Sequence, residues 1–124
     1  MKVLCGTDII ETSRIKENIE KFGEKFLNRI YTTEEIKYCE SKNIQKYQYY
    51  AARFAAKEAV FKAVSELLDG KYEINWKNIE IQHNETNKPK VVFVDIDIKD
   101  ISNIDVSISH IKEYAIATVM LLTK

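Results

Sequence analysis

The chain has 124 residues and no net charge, with 45% hydrophobic and 31% charged residues. That fits a single domain over residues 1–124, able to bury about two-thirds of its surface without metal or disulfide staples. Only 3 Gly and 1 Pro exclude low-complexity and collagen-like structure. No apolar run approaches the ~20 residues of a membrane span. The start MKVLCGTDII lacks a signal-peptide pattern, and Cys5 and Cys39 form no CxxC, so a cytoplasmic protein with reduced thiols is expected.

Charge is unevenly spread. Residues 1–30 carry 6 bases and 5 acids, 31–62 carry 6 and 4, and 63–124 carry 7 and 10, giving regional sums of +1, +2 and −3. Lys42, Lys46, Arg53, Lys57 and Lys62 meet only Glu58 between positions 42 and 62. A basic excess this local excludes a nucleic-acid surface and suits a compact anion, such as a few phosphates.

In chain order, Lys2 to Cys5 reads as a short strand ending at Gly6. Ile15, Ile19, Phe22, Phe26 and Ile30 recur every three or four positions, predicting one helix from Ser13 to about Ile30. Thr32 with Glu35 is a capping-box signature for a short helix through Glu40. The longest helix is expected from about Tyr47 to Leu68, in a stretch rich in good helix formers, with Asp69-Gly70 as its stop. The second half changes period. Ile79 and Ile81 alternate with polar residues, Asn84 to Pro89 is a turn cluster, and Val91 to Ile98 and Ile104 to Ile108 are two further alternating runs. Ala115 to Leu122 is almost continuously apolar, as in a strand buried on both faces. Helices first and antiparallel strands later give an α+β fold, with the long helix packed on an antiparallel sheet.

The long helix carries the informative irregularity. On a helical wheel Tyr50, Phe54, Phe61, Val64 and Leu68 share one stripe, and Lys57 falls inside it. Arg53 and Glu58 lie on its edges. A lysine there must snorkel, pair with an internal carboxylate or meet a ligand. The functional alternative is a helix face that presents Arg53, Lys57 and Lys62 to phosphates and Glu58 to a cation. Asp8, expected at a strand end before a helix, reads either as an N-cap or as a second hard oxygen donor beside Glu58. Two carboxylates with substrate phosphates suit Mg²⁺, whereas two histidines and no Cys/His cluster make a poor zinc site. Ser107 and His110 point to opposite faces if their strand persists, so they form no hydrolase dyad. His83, Trp76, Tyr47, Tyr49 and Tyr50 read as ordinary core or surface residues.

Three stretches together resemble the holo-acyl-carrier-protein synthase family of short, trimeric 4′-phosphopantetheinyl transferases. They are Gly6-Thr7-Asp8-Ile9 with Arg14-Ile15, then Arg53-Phe54-Ala55-Ala56-Lys57-Glu58-Ala59 continuing to Lys62-Ala63, and Ser107-Ile108-Ser109-His110. The resemblance implies Mg²⁺-dependent transfer of phosphopantetheine from coenzyme A to a serine of an apo acyl carrier protein in fatty acid biosynthesis, releasing adenosine 3′,5′-bisphosphate. It implies that Asp8 and Glu58 hold the metal and that Lys57 and Lys62 contact the diphosphate. Arg53 and His110 would lie near the ribose 3′-phosphate, and Arg14 would face the acidic carrier. Asp8, Glu58 and Lys62 would form the catalytic group, with Glu58 or a water it holds as general base. A homotrimer with sites between subunits is implied as well, with no nucleic-acid or membrane partner. A silent coenzyme A-binding module, or a transferase for polyketide or peptide synthase carrier domains, are the alternatives. The family's Gly-Lys-Pro turn appears here as Asn87-Lys88-Pro89, and its glycine-bearing run after the central motif as Val64 to Gly70.

Overall fold

The structure, a computed structural model, describes residues 1–68, 70 and 73–124. Strand β1 (Val3–Glu11) leads into helices α1 (Thr12–Phe22), α2 (Glu24–Ile30) and α3 (Thr33–Glu40), and a 3-10 turn at Asn43–Gln45 enters the long helix α4 (Lys46–Leu68). A second 3-10 turn (Trp76–Asn78) precedes β2 (Ile79–His83) and β3 (Pro89–Phe93), and the chain closes with β4 (Ile101–His110) and β5 (Tyr114–Thr123). Strands β1, β5 and β4 form an antiparallel sheet in that order, with Gly6 opposite Val119 and Asp8 opposite Ala117. Strands β2 and β3 form a separate antiparallel hairpin. The α+β class holds. Among the described residues no helix is long and apolar enough to cross a membrane, and Cys5 and Cys39 are both free thiols.

Helix α4 lies against the three-stranded sheet, and its core contribution comes mostly from small residues. Ala51, Ala52, Ala55, Ala56, Ala59 and Ala63 are buried with Tyr50, Val60 and Val64, whereas Phe54, Phe61 and Leu68 of the expected stripe are only half-buried. Alanine lets the helix backbone approach the sheet closely, and Gly6 takes that approach furthest. A Cβ at Gly6 would lie 2.0 Å from the Ala59 carbonyl oxygen and 2.8 Å from the Ala63 nitrogen. Gly6 is therefore a crossing point and not a strand end. β1 runs on through it, which corrects both the short opening strand and the placement of Asp8 before a helix.

Other boundaries moved for local reasons. Gly23, at φ +57°, breaks the single helix expected from Ser13 to Ile30 into α1 and α2, since only glycine takes that conformation without steric cost. The run Val91 to Ile98 stays in strand only as far as Phe93, and Asp95 adopts φ +56°. The capping box forms as expected: the Thr32 hydroxyl accepts from the Glu35 amide, and the Glu35 carboxylate accepts from the Thr32 amide. Asn87 takes φ +63°, standing in for glycine in its turn. The Asp69 half of the helix stop lies outside the described residues.

Strand β5 is not buried on both faces. Its residues alternate, with Ala115, Ala117, Val119 and Leu121 inward and Tyr114, Ile116 and Met120 outward. Val3 and Ile9 of β1 join that outer face, leaving Ile9 61% and Met120 53% exposed. The outer sheet surface thus exposes an apolar patch beside the polar Thr7, Thr118, Ser107 and Ser109.

Candidate active site

The inner face of β1 carries Gly6 and Asp8 together, because residues two apart share a face. Where Gly6 crosses α4 at Ala59 and Ala63, Asp8 is brought beside the same stretch of the helix. The Lys62 ammonium lies 3.2 Å from Asp8 Oδ1 and donates to the Thr7 carbonyl at 2.9 Å. Glu58, one helical turn before Lys62, is half-buried. Its pKa is raised, first by burial and then by the Asp8 charge, with Lys62 opposing. Two carboxylates that repel one another beside one ammonium form a group able to take a divalent cation on its oxygens and a diphosphate on its nitrogen. Asp8, Glu58 and Lys62 are thus assembled as expected from the sequence.

Lys57 is not part of that cluster. Its side chain is fully buried, paired to Glu35 Oε1 at 2.5 Å. The ammonium also donates to the Ile30 carbonyl at 2.8 Å and the Trp76 carbonyl at 3.1 Å. An ammonium has three protons, and all are committed inside the protein. Burial lowers the Lys57 pKa, and Glu35 works against it by charge and hydrogen bond. The expected phosphate contact is corrected here to the other reading, an internal Lys–Glu pair. The other Glu35 oxygen accepts from the Ile81 amide at 2.9 Å, so one residue caps α3, neutralises α4 and anchors β2.

A second charged group forms on the far side of α4. Lys62 follows Arg53 by nine residues, about half a turn around the helix axis at 3.6 residues per turn. Arg53 is 3% exposed, its guanidinium lies 4.1 Å above the Tyr38 ring, and its Nε has no hydrogen-bond partner among the described residues. His110, at the end of β4, packs edge-on to Tyr49 at 5.1 Å, and its Nδ1 is 3.2 Å from Gln48 Oε1. Burial and then Arg53 lower the His110 pKa. Arg53 and His110 therefore share a neighbourhood, as the resemblance implied. So do two residues to which the sequence assigned no individual role. His83 lies 4.8 Å from the Tyr38 ring, and the Lys42 ammonium is 4.7 Å from the centre of Tyr38 and 5.0 Å from that of Tyr49.

Around Glu58 the helix carries Phe54, stacked on Trp76 at 5.0 Å, and Phe61, edge-on to Trp76 at 5.1 Å. This half-exposed aromatic wall was also missed, because Trp76 comes from a turn remote in sequence. Arg14 is exposed on α1. Ser107 and Ser109 face outward while His110 faces the other way, so no Ser–His dyad exists.

Residues 4–119 match the 4′-phosphopantetheinyl transferase superfamily. A holo-[acyl-carrier-protein] synthase of Ruminiclostridium cellulolyticum is 46% identical over 122 residues, covering 94% of this chain and 90% of the relative. Among solved structures, the holo-[acyl-carrier-protein] synthase of Helicobacter pylori in complex with coenzyme A superimposes with a TM-score of 0.80 at 32% identity, over 96% of this chain and 100% of that one. The Bacillus anthracis holo-(acyl-carrier-protein) synthase in complex with CoA (3′,5′-ADP) gives 0.77 at 31% identity, over 98% and 96%. With these likenesses spanning nearly its whole length, the chain belongs to the 4′-phosphopantetheinyl transferase superfamily.

Proposed function

We propose that the chain is a holo-acyl-carrier-protein synthase, transferring 4′-phosphopantetheine from coenzyme A to a serine hydroxyl of an apo acyl carrier protein. The observation that carries this is the convergence of Asp8, Glu58 and Lys62 across the Gly6 crossing, in a chain of this family. The donor set fits Mg²⁺. Among the described residues no three His, Cys, Asp or Glu side chains gather into a cage, and two carboxylates are what this ion takes when phosphates and water supply the rest. When bound, the ion would offset negative charge on the diphosphate and the departing bisphosphate.

The chain's own residues do the remaining work. Lys62, held by Asp8 and the Thr7 carbonyl, points a fixed positive charge at the diphosphate, and such positioning with charge neutralisation is most of what phosphoryl-type transfer requires. Glu58 accepts the serine proton, directly or through a water. Arg53 and His110 bind the ribose 3′-phosphate, and Arg14 meets the acidic carrier. Fatty acid biosynthesis in the cytoplasm is the setting we infer; the relatives' name, holo-[acyl-carrier-protein] synthase, supports an acyl carrier protein as the acceptor.

We further infer a homotrimer with sites between subunits. Asp8, Glu58 and Lys62 lie on one side of α4 and Arg53 with His110 on the other, so one coenzyme A spans both groups most simply across two copies. The apolar outer face of the sheet supplies a surface for that contact. The test is release of adenosine 3′,5′-bisphosphate from coenzyme A, followed by chromatography with and without apo carrier and with EDTA. Release that requires both the carrier and the metal is expected. Release without carrier would indicate a hydrolase and contradict the reading.

A further inference from the structure

We propose that Trp76 is a positioning residue for Glu58, walling its carboxylate toward Asp8 and Lys62. The inference rests on the transferase reading, in which Glu58 acts on the carrier serine, and adds a residue from a remote turn that keeps it aimed.

Helix geometry sets the arrangement. At about 100° per residue, Phe54 and Phe61 fall about 40° and about 60° to one side of Glu58 on α4, and Lys62 falls about 40° to the other. The two phenylalanines are seven positions apart, about 10 Å along the helix axis. The Trp76 ring centre lies 5.0 Å from Phe54, stacked at 26°, and 5.1 Å from Phe61, edge-on at 81°. The indole therefore sits midway between the two rings, level with the turn that carries Glu58. The three rings close off one flank of Glu58. Its open flank is the one where Lys62 meets Asp8 at 3.2 Å.

Burial of the indole does not account for how firmly its turn is tied. Trp76 is only half-buried, yet the Trp76–Asn78 turn is fixed at several points. The buried Lys57 ammonium donates to the Trp76 carbonyl at 3.1 Å, from a helix position about 100° from Glu58 and beyond the phenylalanines. The Asn75 side chain accepts from the Lys77 amide at 3.1 Å, and that of Asn78 accepts from the Asn75 amide at 3.0 Å and donates to the Val94 carbonyl at 2.8 Å. A wall held this way removes Glu58 rotamers that lead away from the site, so the carboxylate is ordered before substrate arrives.

The experiment is steady-state kinetics of carrier modification by Trp76→Leu, Trp76→Phe and Phe61→Ala, with calorimetric affinity for coenzyme A in the absence of metal and a thermal melt for each variant. Trp76→Leu frees the closed flank and should lower kcat about tenfold, less than the ~10²-fold cost of a full 1 Å misplacement. The KM for the carrier and the affinity for coenzyme A should not change. Trp76→Phe keeps a ring in place and should return most of the rate. Phe61→Ala removes one of the rings that seat the indole and should show the same split between kcat and KM, which keeps the test open if Trp76→Leu does not fold. Wild-type kinetics in whichever of Trp76→Leu and Phe61→Ala is folded would overturn the proposal. So would a raised carrier KM at unchanged kcat, which would make the wall a docking surface. In both cases the wild type still transfers phosphopantetheine and the transferase reading stands. A wild type that modifies no carrier would overturn both.

Discussion

Gly6→Ala tests the link between fold and site in one substitution. The added Cβ would stand 2.0 Å from the Ala59 carbonyl oxygen and 2.8 Å from the Ala63 nitrogen, both backbone atoms of α4. Restoring even a tight contact of about 3 Å forces β1 and α4 apart by about 1 Å at their crossing. Overpacking of this kind costs about 1–3 kcal/mol, which lowers Tm by roughly 4–12 °C in a domain of this size. Asp8 rides on β1 two residues further on and moves with it, away from Glu58 and Lys62. A 1 Å misplacement costs on the order of 10²-fold in rate, so kcat/KM for carrier modification should fall by about that factor at temperatures where the variant is fully folded. Differential scanning calorimetry and initial-rate assays read the two effects separately. Gly to Ala at an unstrained site raises stability by about 0.4–1 kcal/mol through the unfolded chain. A variant with raised Tm and wild-type rate would therefore refute the crossing argument.

Further outcomes follow from the same geometry. Lys57→Met leaves the buried Glu35 carboxylate without its cation and should lose about 3–5 kcal/mol in urea unfolding, while the folded fraction keeps its coenzyme A affinity; full stability with weakened coenzyme A binding would contradict the internal pairing. His83 and His110 both have lowered pKa values, and the charges facing them are Arg53 for both and Lys42 for His83, beside Tyr38, Tyr49 and Gln48. The unfolded chain therefore takes up their protons first, so in the absence of ligand their contribution to stability declines as pH falls below about 6.5, and replacing both with Gln should flatten that part of the pH–stability curve. Ile9→Lys with Met120→Lys puts charge on the apolar sheet face and should give a folded, inactive monomer by sedimentation, where an active monomer would argue against shared sites. Mixing Glu58→Gln with Arg53→Gln subunits should restore part of the activity each lacks alone, and no restoration in a mixed trimer would place both groups in one subunit's site.

Much of the fold was legible because local chemistry decided it. The Thr32–Glu35 box, the alternating strands and the alanine-rich helix each carried their signal within a few residues. Gly6 was misread because a glycine in a strand looks like a terminator until the helix it meets is known. The outer face of β5 was misread for a related reason: an apolar run does not say whether its second face is covered by the same chain or by another. At the site, Asp8, Glu58 and Lys62 were recoverable from their motifs. Lys57 was ambiguous from its place on the helix, since its deciding partner Glu35 sits 22 positions earlier and was read only as a cap. Lys42 was read only as part of a local basic excess and His83 as an ordinary residue, because only the fold brings the turn after α3 and the end of β2 to the tyrosine rings.

The central claim is the reaction assigned to Asp8, Glu58 and Lys62. Intact-mass spectrometry of an apo acyl carrier protein, incubated with coenzyme A, Mg²⁺ and either the wild type or Glu58→Gln, tests it most directly. The account predicts that the wild type adds one phosphopantetheine group per carrier and that Glu58→Gln binds coenzyme A but adds none. Wild-type protein that binds coenzyme A yet modifies no carrier, or a Glu58→Gln variant with full turnover, would contradict it.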